Sequence, residues 1–309
     1  MQGVVDGFAT ILLVIAVGAL VAQLGVVDET GRKVLSRVAF SVASPALMVV
    51  VVSGADVGRL FTGYVAAVTA GLLVVTVTYL ALARFVLHRD LTGAVTGLLS
   101  TGYVNAGNLG LPVAAYVLGD AALMAPVLLL QMLVLQPIAI GLLDRAAADR
   151  RPSLLRLLTV PFRNPITVGA LVGLLLNLSG LVLPTALGNP LALVADMAVP
   201  TMLLAFGVSL RLGPMPGRGS SLPELGVITV LKTLVQPATA LLVAGPVLGL
   251  PGPEVLAATV ISALPTAQNV FVLVARYDSG RSLLTARDAI SVTTLVSIPV
   301  MVGVSALLS

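Results

Sequence analysis

Two short stretches carry side chains that an apolar run does not ordinarily need. Residues 105–112 read NAGNLGLP and residues 264–269 read LPTAQN. The first supplies Asn105, Gly107, Asn108 and Pro112, the second Pro265, Thr266, Gln268 and Asn269. None of these is an acid, a base or an activated nucleophile. The chemistry they offer is recognition, through amide groups and through backbone freed where Pro and Gly interrupt a helix. Backbone groups freed inside hydrocarbon must be capped by neighbours or line a wet cavity. A helix restarting near Pro112, and another near Thr266, would turn unpaired N–H groups and about half a positive charge toward the break. Pro suits such a first turn because its missing N–H costs nothing there. The ligand expected at the two breaks is therefore an anion.

Two ionisable residues lie deep in other apolar runs. Lys232, in ITVLKTLVQP, is nine residues beyond Pro223, hence about 13 Å into a hydrocarbon core about 30 Å thick. Asp196, in LVADMAVP, lies at a similar depth from the opposite side. Such groups cost at least about 2.5 kcal/mol each and usually mark a pathway, a proton relay or a pair. Lys232 is read as positive charge for an anionic substrate, and Asp196 as a candidate for proton uptake during the cycle. The plainer alternatives are a snorkelling Lys232 or a structural ion pair between the two. Ser44 beside Pro45, Gln131, Gln136 and Gln236 are further polar candidates for cavity walls. The one histidine, His88, stands with Arg84, Arg89 and Asp90 and reads as a solvated loop residue rather than a ligand. No metal site and no cofactor are expected.

The elements that must position these residues are membrane helices. The chain is 58% hydrophobic and 10% charged, with mean hydropathy +1.10, whereas soluble domains carry charge on roughly a quarter of their residues. Its apolar stretches are helix-length rather than the alternating strands of a β-barrel. Ten spans are expected, at about 8–27, 35–53, 61–83, 92–119, 121–143, 164–183, 187–210, 223–248, 254–276 and 288–308. Loop charges order them. Arg32, Lys33 and Arg37 follow the first span; Arg84 and Arg89 the third; Arg145, Arg150, Arg151, Arg156 and Arg163 the fifth. Arg211 and Arg218 follow the seventh, and Arg276, Arg281 and Arg287 the ninth. The remaining loops and both termini hold only Arg59. The positive-inside rule puts the basic loops in the cytoplasm and both termini outside. Net charge is +4, distributed as a topology signal, so nucleic-acid binding is not implied. MQGVVDGF at the start has no basic stretch, and no cleaved signal peptide is expected.

Five spans in each half require that two repeats, 1–143 and 164–309, be inserted with opposite orientation, joined by a cytoplasmic connection at 144–163. VASPALMVVVVSG in the second span and MAVPTMLLAFGVS in the seventh each place a proline, Pro45 or Pro200, inside an apolar run. The fourth span of each half is the one broken by Pro with Asn or Gln. Interrupted helices in matching positions are the best sequence pointer to a transport site. Pro and Gly are also common in membrane helices, and Asn can join helices without touching ligand, but the matched second break favours a site. Gly93, Gly97 and Gly102, before the first break, read as a small-residue face for close helix packing. RRPSLLRLLTVPFRNP, at 150–165, reads as an interfacial cytoplasmic segment.

On NAGNLGLPV at 105–113, NPITVGALVGLLLN at 164–177, MAVPTMLLAFGVSL at 197–210, the run from Lys232 to Pro237, and LPTAQNVFVLVARYD at 264–278, the chain resembles the auxin efflux carrier family. That group includes the plant PIN-FORMED carriers and bacterial proteins labelled malonate transporters. The resemblance implies an all-α fold of ten transmembrane helices in a five-plus-five inverted repeat, with the broken fourth and ninth helices crossing, as in bile acid sodium symporters. It implies a scaffold of spans one, two, six and seven, commonly homodimeric, and a moving transport domain of spans three to five and eight to ten, in a bacterial inner membrane. The substrate carboxylate would sit near Asn105, Asn108, Pro112 and Pro265, with help from Ser44 and Gln136. The long central loop of the plant carriers is missing.

The expected function is secondary transport of a small organic anion, such as a mono- or dicarboxylate or an auxin-like acid, by alternating access with an elevator-type movement. Coupling to H⁺ or Na⁺ is left open. An anion channel and a sodium-coupled symporter are the rivals. No G-x-x-x-x-G-K-[ST] motif is present, so ATP-driven transport would need another subunit. An enzyme is not expected. Asp120 and Asp278, the tempting acid pair, fall on opposite faces by the charge topology, serine chemistry lacks a nearby base, and the chain has no Cys.

Overall fold

The computed structural model describes residues 2–55, 63–146, 159, 161–213, 221–278 and 280–308. Arg59, Arg150, Arg151, Arg156 and Arg218, and most of the expected 144–163 connection, lie outside the described residues. Within them the regular structure is helical apart from one isolated β-bridge. The helices are α1 (Gln2–Gln23), α2 (Glu29–Ser53), α3 (Gly63–Phe85), α4 (Leu91–Gly102), α5 (Leu111–Tyr116) and α6 (Ala121–Ala146). They continue with α7 (Pro165–Ser179), α8 (Thr185–Leu212), α9 (Leu222–Val247), α10 (Gly252–Ser262), α11 (Gln268–Val274) and α12 (Arg281–Leu308).

Seven of these, α1, α2, α3, α6, α8, α9 and α12, are long and apolar enough to cross a membrane. They coincide with seven of the ten expected spans. The other three stretches hold shorter helices. The expected sixth span is occupied by α7, whose 15 residues reach about 22 Å, and the expected fourth and ninth are each divided in two.

Helix starts follow ordinary capping chemistry. The Asp28 carboxylate accepts from the Gly31 N–H at 2.7 Å at the head of α2. Asp90 does the same for Gly93 at 3.1 Å in α4. Asn164 accepts from Ile166 at 2.9 Å, with Pro165 at the first position of α7. Each cap satisfies a donor that the first turn leaves over.

Four of the prolines inside the apolar runs leave a distinct trace, whereas Pro190, Pro200 and Pro299 lie in unwidened α-helix. A π-helical turn stands immediately before Ser44-Pro45, Leu111-Pro112, Gln136-Pro137 and Gln236-Pro237, at Ala39–Ala43, Ala106–Gly110, Gln131–Leu135 and Leu231–Val235. Pro has no N–H to donate and its ring crowds the carbonyl four residues back. Widening the preceding turn accommodates both, and such π-bulges recur at functional sites. Ser44 also uses its hydroxyl here, donating to the Ala39 carbonyl at 2.6 Å.

The chain divides into two compact units. One comprises Met1–Phe61, Gly107–Met132 and Pro161–Pro214. Here α1 packs on the second part of α8, and α2 on α7. Both contacts are backbone-close and depend on glycine. A Cβ at Gly207 would run into the Ile15 carbonyl oxygen, and one at Gly18 into that of Leu204. On α7, a Cβ at Gly173 would lie 2.9 Å from the Met48 oxygen. Asn177 of α7 donates to the Val52, Ser53 and Ala55 carbonyls at 3.2, 2.9 and 2.7 Å, capping the end of α2. Gly207→Leu should therefore lower stability by about 1–3 kcal/mol, the usual range for overpacking. Gly303→Leu, where a Cβ meets nothing within 4 Å, should leave it nearly unchanged. Thermal unfolding of the two variants in detergent checks the contrast.

The other unit comprises Thr62–Ala106, Leu133–Val160 and Met215–Ser309. At its centre α3 packs against α4, α9 and α10. The apolar core joins Val75, Tyr79 and Ala83 of α3 to Leu225, Ile228 and Leu231 of α9 and Ala289 of α12. The small-residue face of α4 does the work expected of it. Gly97 receives the Tyr79 ring so closely that any Cβ would overlap it, and a Cβ at Gly102 would lie 2.6 Å from Leu72.

A β-bridge between two broken helices: the candidate functional site

The two breaks meet in the second unit. After Gly102 the chain leaves α4 with Tyr103 in an extended conformation, and after Ser262 it leaves α10. The two extended links pair antiparallel at Val104 and Thr266. Asn105 N–H donates to the Pro265 carbonyl at 2.8 Å, and Ala267 N–H to the Tyr103 carbonyl at 3.0 Å. Thr266 adds two further bonds. Its hydroxyl donates to the Ser100 carbonyl at 2.6 Å, and its N–H donates to the Thr293 hydroxyl of α12 at 3.1 Å. A helix end leaves carbonyls without intrahelical partners, and within a bilayer they have no water to turn to. The bridge and Thr266 meet part of that need from inside the protein.

The helices resume close to where the sequence places them. On the first strand of the bridge the chain enters the π-helical turn Ala106–Gly110 and then α5, with Pro112 at its second position. On the other, α11 starts at Gln268, two residues later than Thr266. The restarted pieces are short, six residues in α5 and seven in α11.

The expected site residues divide between the units. Asn105, Gln136, Lys232, Pro265, Thr266, Gln268 and Asn269 fall in the unit that holds the bridge; Ser44, Gly107, Asn108, Pro112 and Asp196 fall in the other. Asn105, Pro265 and Thr266 are brought together in the bridge and are buried. Gln268 is half-buried and Asn269 exposed at the start of α11. Gln136 is half-buried, directly after the π-helical turn Gln131–Leu135 in α6 and directly before Pro137. Ser44 and Pro112 are buried, Gly107 and Asn108 half-buried.

Lys232 is fully buried, at 0% exposure. The Gln236 side-chain oxygen, one helical turn on, accepts from Nζ at 2.7 Å. Asp196, by contrast, is exposed. Sequence depth alone does not distinguish a residue facing outward from one facing inward, and the two differ on that account.

A third set of charges was not visible from the sequence. Glu224, in the first turn of α9, is 0% exposed and accepts from the Tyr79 hydroxyl at 3.0 Å. The Arg89 guanidinium, 7% exposed, lies 3.1 Å from it, and Arg281, 54% exposed, lies 3.5 Å away. Arg89 and Arg281 read from the sequence as loop residues between spans; the first turn of α9, where Glu224 stands, is a place where a helix N-terminus favours an acid. The signal that was present is the proline before Glu224, which fixes where α9 starts. Nearby, Asp144 accepts from the Tyr277 hydroxyl at 2.8 Å. Asp278 accepts from the Gly280 and Ser282 N–H groups at 2.7 and 2.9 Å. The Gly280 N–H, foremost, holds its carboxyl below the ordinary carboxylate range.

The profile of the family described as membrane transport protein matches residues 4–153 and 150–304, nearly the whole chain. None of the curated proteins matches it. With its long apolar helices and its paired helix breaks, the chain belongs to the membrane transport protein family, that of the auxin efflux carriers, and is a multi-pass membrane transporter.

Proposed function

We propose that the protein is a secondary carrier of a small organic anion, with its substrate carboxylate at the helix breaks. The observation that carries this reading is the pairing of the two broken helices at Val104 and Thr266. An interruption of two membrane helices at one place is costly unless something is gained there, and in secondary transporters that gain is a binding site at mid-bilayer. The side chains at the breaks are neutral amides, Asn105, Asn108, Gln268 and Asn269. They can donate to a carboxylate without the strong retention that a fixed salt bridge would impose. Ser44, Gln136 and Lys232 are the further groups proposed to face the anion, and Asp196 is the proposed site of any proton coupling.

The arrangement proposed is that of the resemblance: ten membrane crossings in a five-plus-five inverted repeat, the shorter α7 and the divided fourth and ninth stretches supplying the three not counted by length. The grouping of α1, α2, α7 and α8 in one unit supports a scaffold, and that of α3, α4, α9, α10, α11 and α12 in the other supports a moving transport domain, although α5 and the first part of α6 group with the first unit. The pairing of α1 with α8 and of α2 with α7 is the symmetry that an inverted repeat would give. The cycle is alternating access with an elevator-type movement. We place the protein as a homodimer in a bacterial inner membrane, with both termini outside.

Counterflow in proteoliposomes, with a panel of mono- and dicarboxylates and with pH and sodium gradients imposed separately, tests the reading. Saturable exchange of one or a few carboxylates at turnover rates typical of carriers is expected. Flux that does not saturate would make the protein a channel, and no flux of any organic anion would remove the proposal.

A further inference from the structure

We propose that Thr293 of α12 is a positioning residue for the anion site: it ties the second helix break to a continuous helix, and affinity for the substrate depends on that tie. The inference rests on the carrier reading and adds to it a residue that lies in neither break.

The link between α10 and α11 is residues 263–267. Apart from its bonds into those two helices it makes four hydrogen bonds. Three of them go to α4 and the link that follows it. Asn105 N–H donates to the Pro265 carbonyl, Ala267 N–H to the Tyr103 carbonyl, and the Thr266 hydroxyl to the Ser100 carbonyl. These fasten the two breaks to each other. The fourth leads out of the broken spans, from Thr266 N–H to the Thr293 hydroxyl at 3.1 Å. Among the described residues it is the one hydrogen bond from this link to a helix that no break interrupts, since α12 runs through Arg281–Leu308 for 28 residues.

A threonine within a helix commonly donates to a carbonyl one turn back, and Thr293 does so to Ala289 at 2.6 Å. That bond uses the single hydroxyl proton and orients the oxygen, whose lone pairs are left for a donor outside the helix. Ala289 belongs to the apolar core that joins α12 to α3 and α9. A path of hydrogen bonds thus runs from the link through Thr293 into the core of the unit. Thr293 is itself fully buried, so it acts on the site through Thr266. The helix α11 starts at Gln268, two residues beyond Thr266, which is about 7 Å of extended chain. A displaced Thr266 therefore displaces Gln268 and Asn269, two of the amides proposed to donate to the carboxylate. Hydrogen bonds weaken steeply away from their preferred distance and angle, so affinity is the property that such a shift changes.

The two side-chain ties at Thr266 differ in what backs them up. The bond to Ser100 runs beside the two backbone bonds of the bridge, and its loss costs stability while the link stays in place. The bond to Thr293 has no parallel one among the described residues, and its loss lets the link move.

Counterflow in proteoliposomes, read as KM and maximal rate for a carboxylate that the wild-type protein exchanges, tests this together with unfolding temperature in detergent. Thr293→Val keeps the shape and removes the acceptor. Its KM should rise on the order of tenfold, the scale set by a buried donor that loses its partner, with the maximal rate within about twofold of the wild-type value. Thr293→Ser keeps the hydroxyl and should bring KM back to within about twofold. Thr266→Val should unfold earlier with KM within about twofold of wild type. A Thr293→Val protein that unfolds earlier but has the wild-type KM would make the residue merely structural and overturn the proposal. So would a raised KM that Thr293→Ser does not restore, or an equal rise in Thr266→Val. If Thr293→Val does not fold, Thr293→Cys, whose sulfur is a weak acceptor, takes its place with the same expectation; if neither folds, the residue is structural and the proposal fails. Absence of any organic anion exchange by the wild-type protein removes the carrier reading itself, whereas wild-type exchange with an unmoved KM in Thr293→Val removes this inference alone.

Discussion

Glu224→Ala should unfold at a much lower temperature than the wild-type protein, by the equivalent of about 3–5 kcal/mol. The carboxylate is fully buried and lies 3.1 Å from an arginine that is itself only 7% exposed. Truncating Glu224 takes from the buried Arg89 its 3.1 Å carboxylate partner and from the Tyr79 hydroxyl its acceptor. The cost is the desolvation of what remains rather than the net value of the pair. Arg281→Ala is the informative comparison. Its side chain is 54% exposed and its nitrogen is 3.5 Å from Glu224, so water replaces it and the loss should stay within about 1 kcal/mol. Thermal unfolding of the two proteins should rank them in that order. An Arg281→Ala protein as unstable as Glu224→Ala would mean that the three charges act as one network.

Asn105→Ala should impair transport far more than folding. An amide hydrogen bond to a charged partner contributes about 1.5–3 kcal/mol, which corresponds to roughly ten- to hundred-fold in affinity. The backbone N–H of Asn105, which pairs with Pro265, survives the substitution. Thr266→Val should divide the other way. The Thr266 hydroxyl donates to the Ser100 carbonyl, and its loss strands a buried acceptor at about 1–3 kcal/mol. Counterflow kinetics and unfolding temperature, measured on both variants, separate the two roles. Equal effects on both readouts in both proteins would contradict the division.

How far the sequence reached follows from what kind of signal each feature leaves. The breaks were legible because Asn, Gly and Pro stand out in an apolar run, and both fall within about two residues of where NAGNLGLP and LPTAQN place them. The close packing of Gly97 and Gly102 on α3 was legible from their small size, whereas Gly93 faces only the Arg89 side chain just before α4. The pairing of Val104 with Thr266 was not, because nothing local marks which residues of two distant links will share backbone hydrogen bonds. The π-helical turns were hidden for a similar reason. Pro45, Pro112, Pro137 and Pro237 announce a disturbance, but whether the preceding turn widens or kinks depends on what packs around it. Glu224 escaped because a helix-start acid and two loop arginines each have an ordinary local explanation, and only the tertiary structure makes them one cluster. Depth in the sequence singles out Lys232, and its acceptor Gln236 stands one turn away. The same argument singles out Asp196, which is exposed, since depth along a helix says nothing about which side of it a residue occupies.

The central claim is that the broken helices form a hydrated substrate site. The chain has no cysteine, so single cysteines can be placed at Asn105, Asn108 and Gln268 without a background to remove. The decisive measurement is the rate at which membrane-impermeant thiol reagents modify them in sealed proteoliposomes, with and without the carboxylate that the protein exchanges. The half-buried positions of Asn108 and Gln268 should react and that of Asn105, buried in the bridge, far more slowly, and saturating substrate should slow the reactive positions by a factor that follows its apparent affinity. Cysteines that stay inert from both sides, or that react at a rate no transported anion changes, would contradict a substrate site at the breaks.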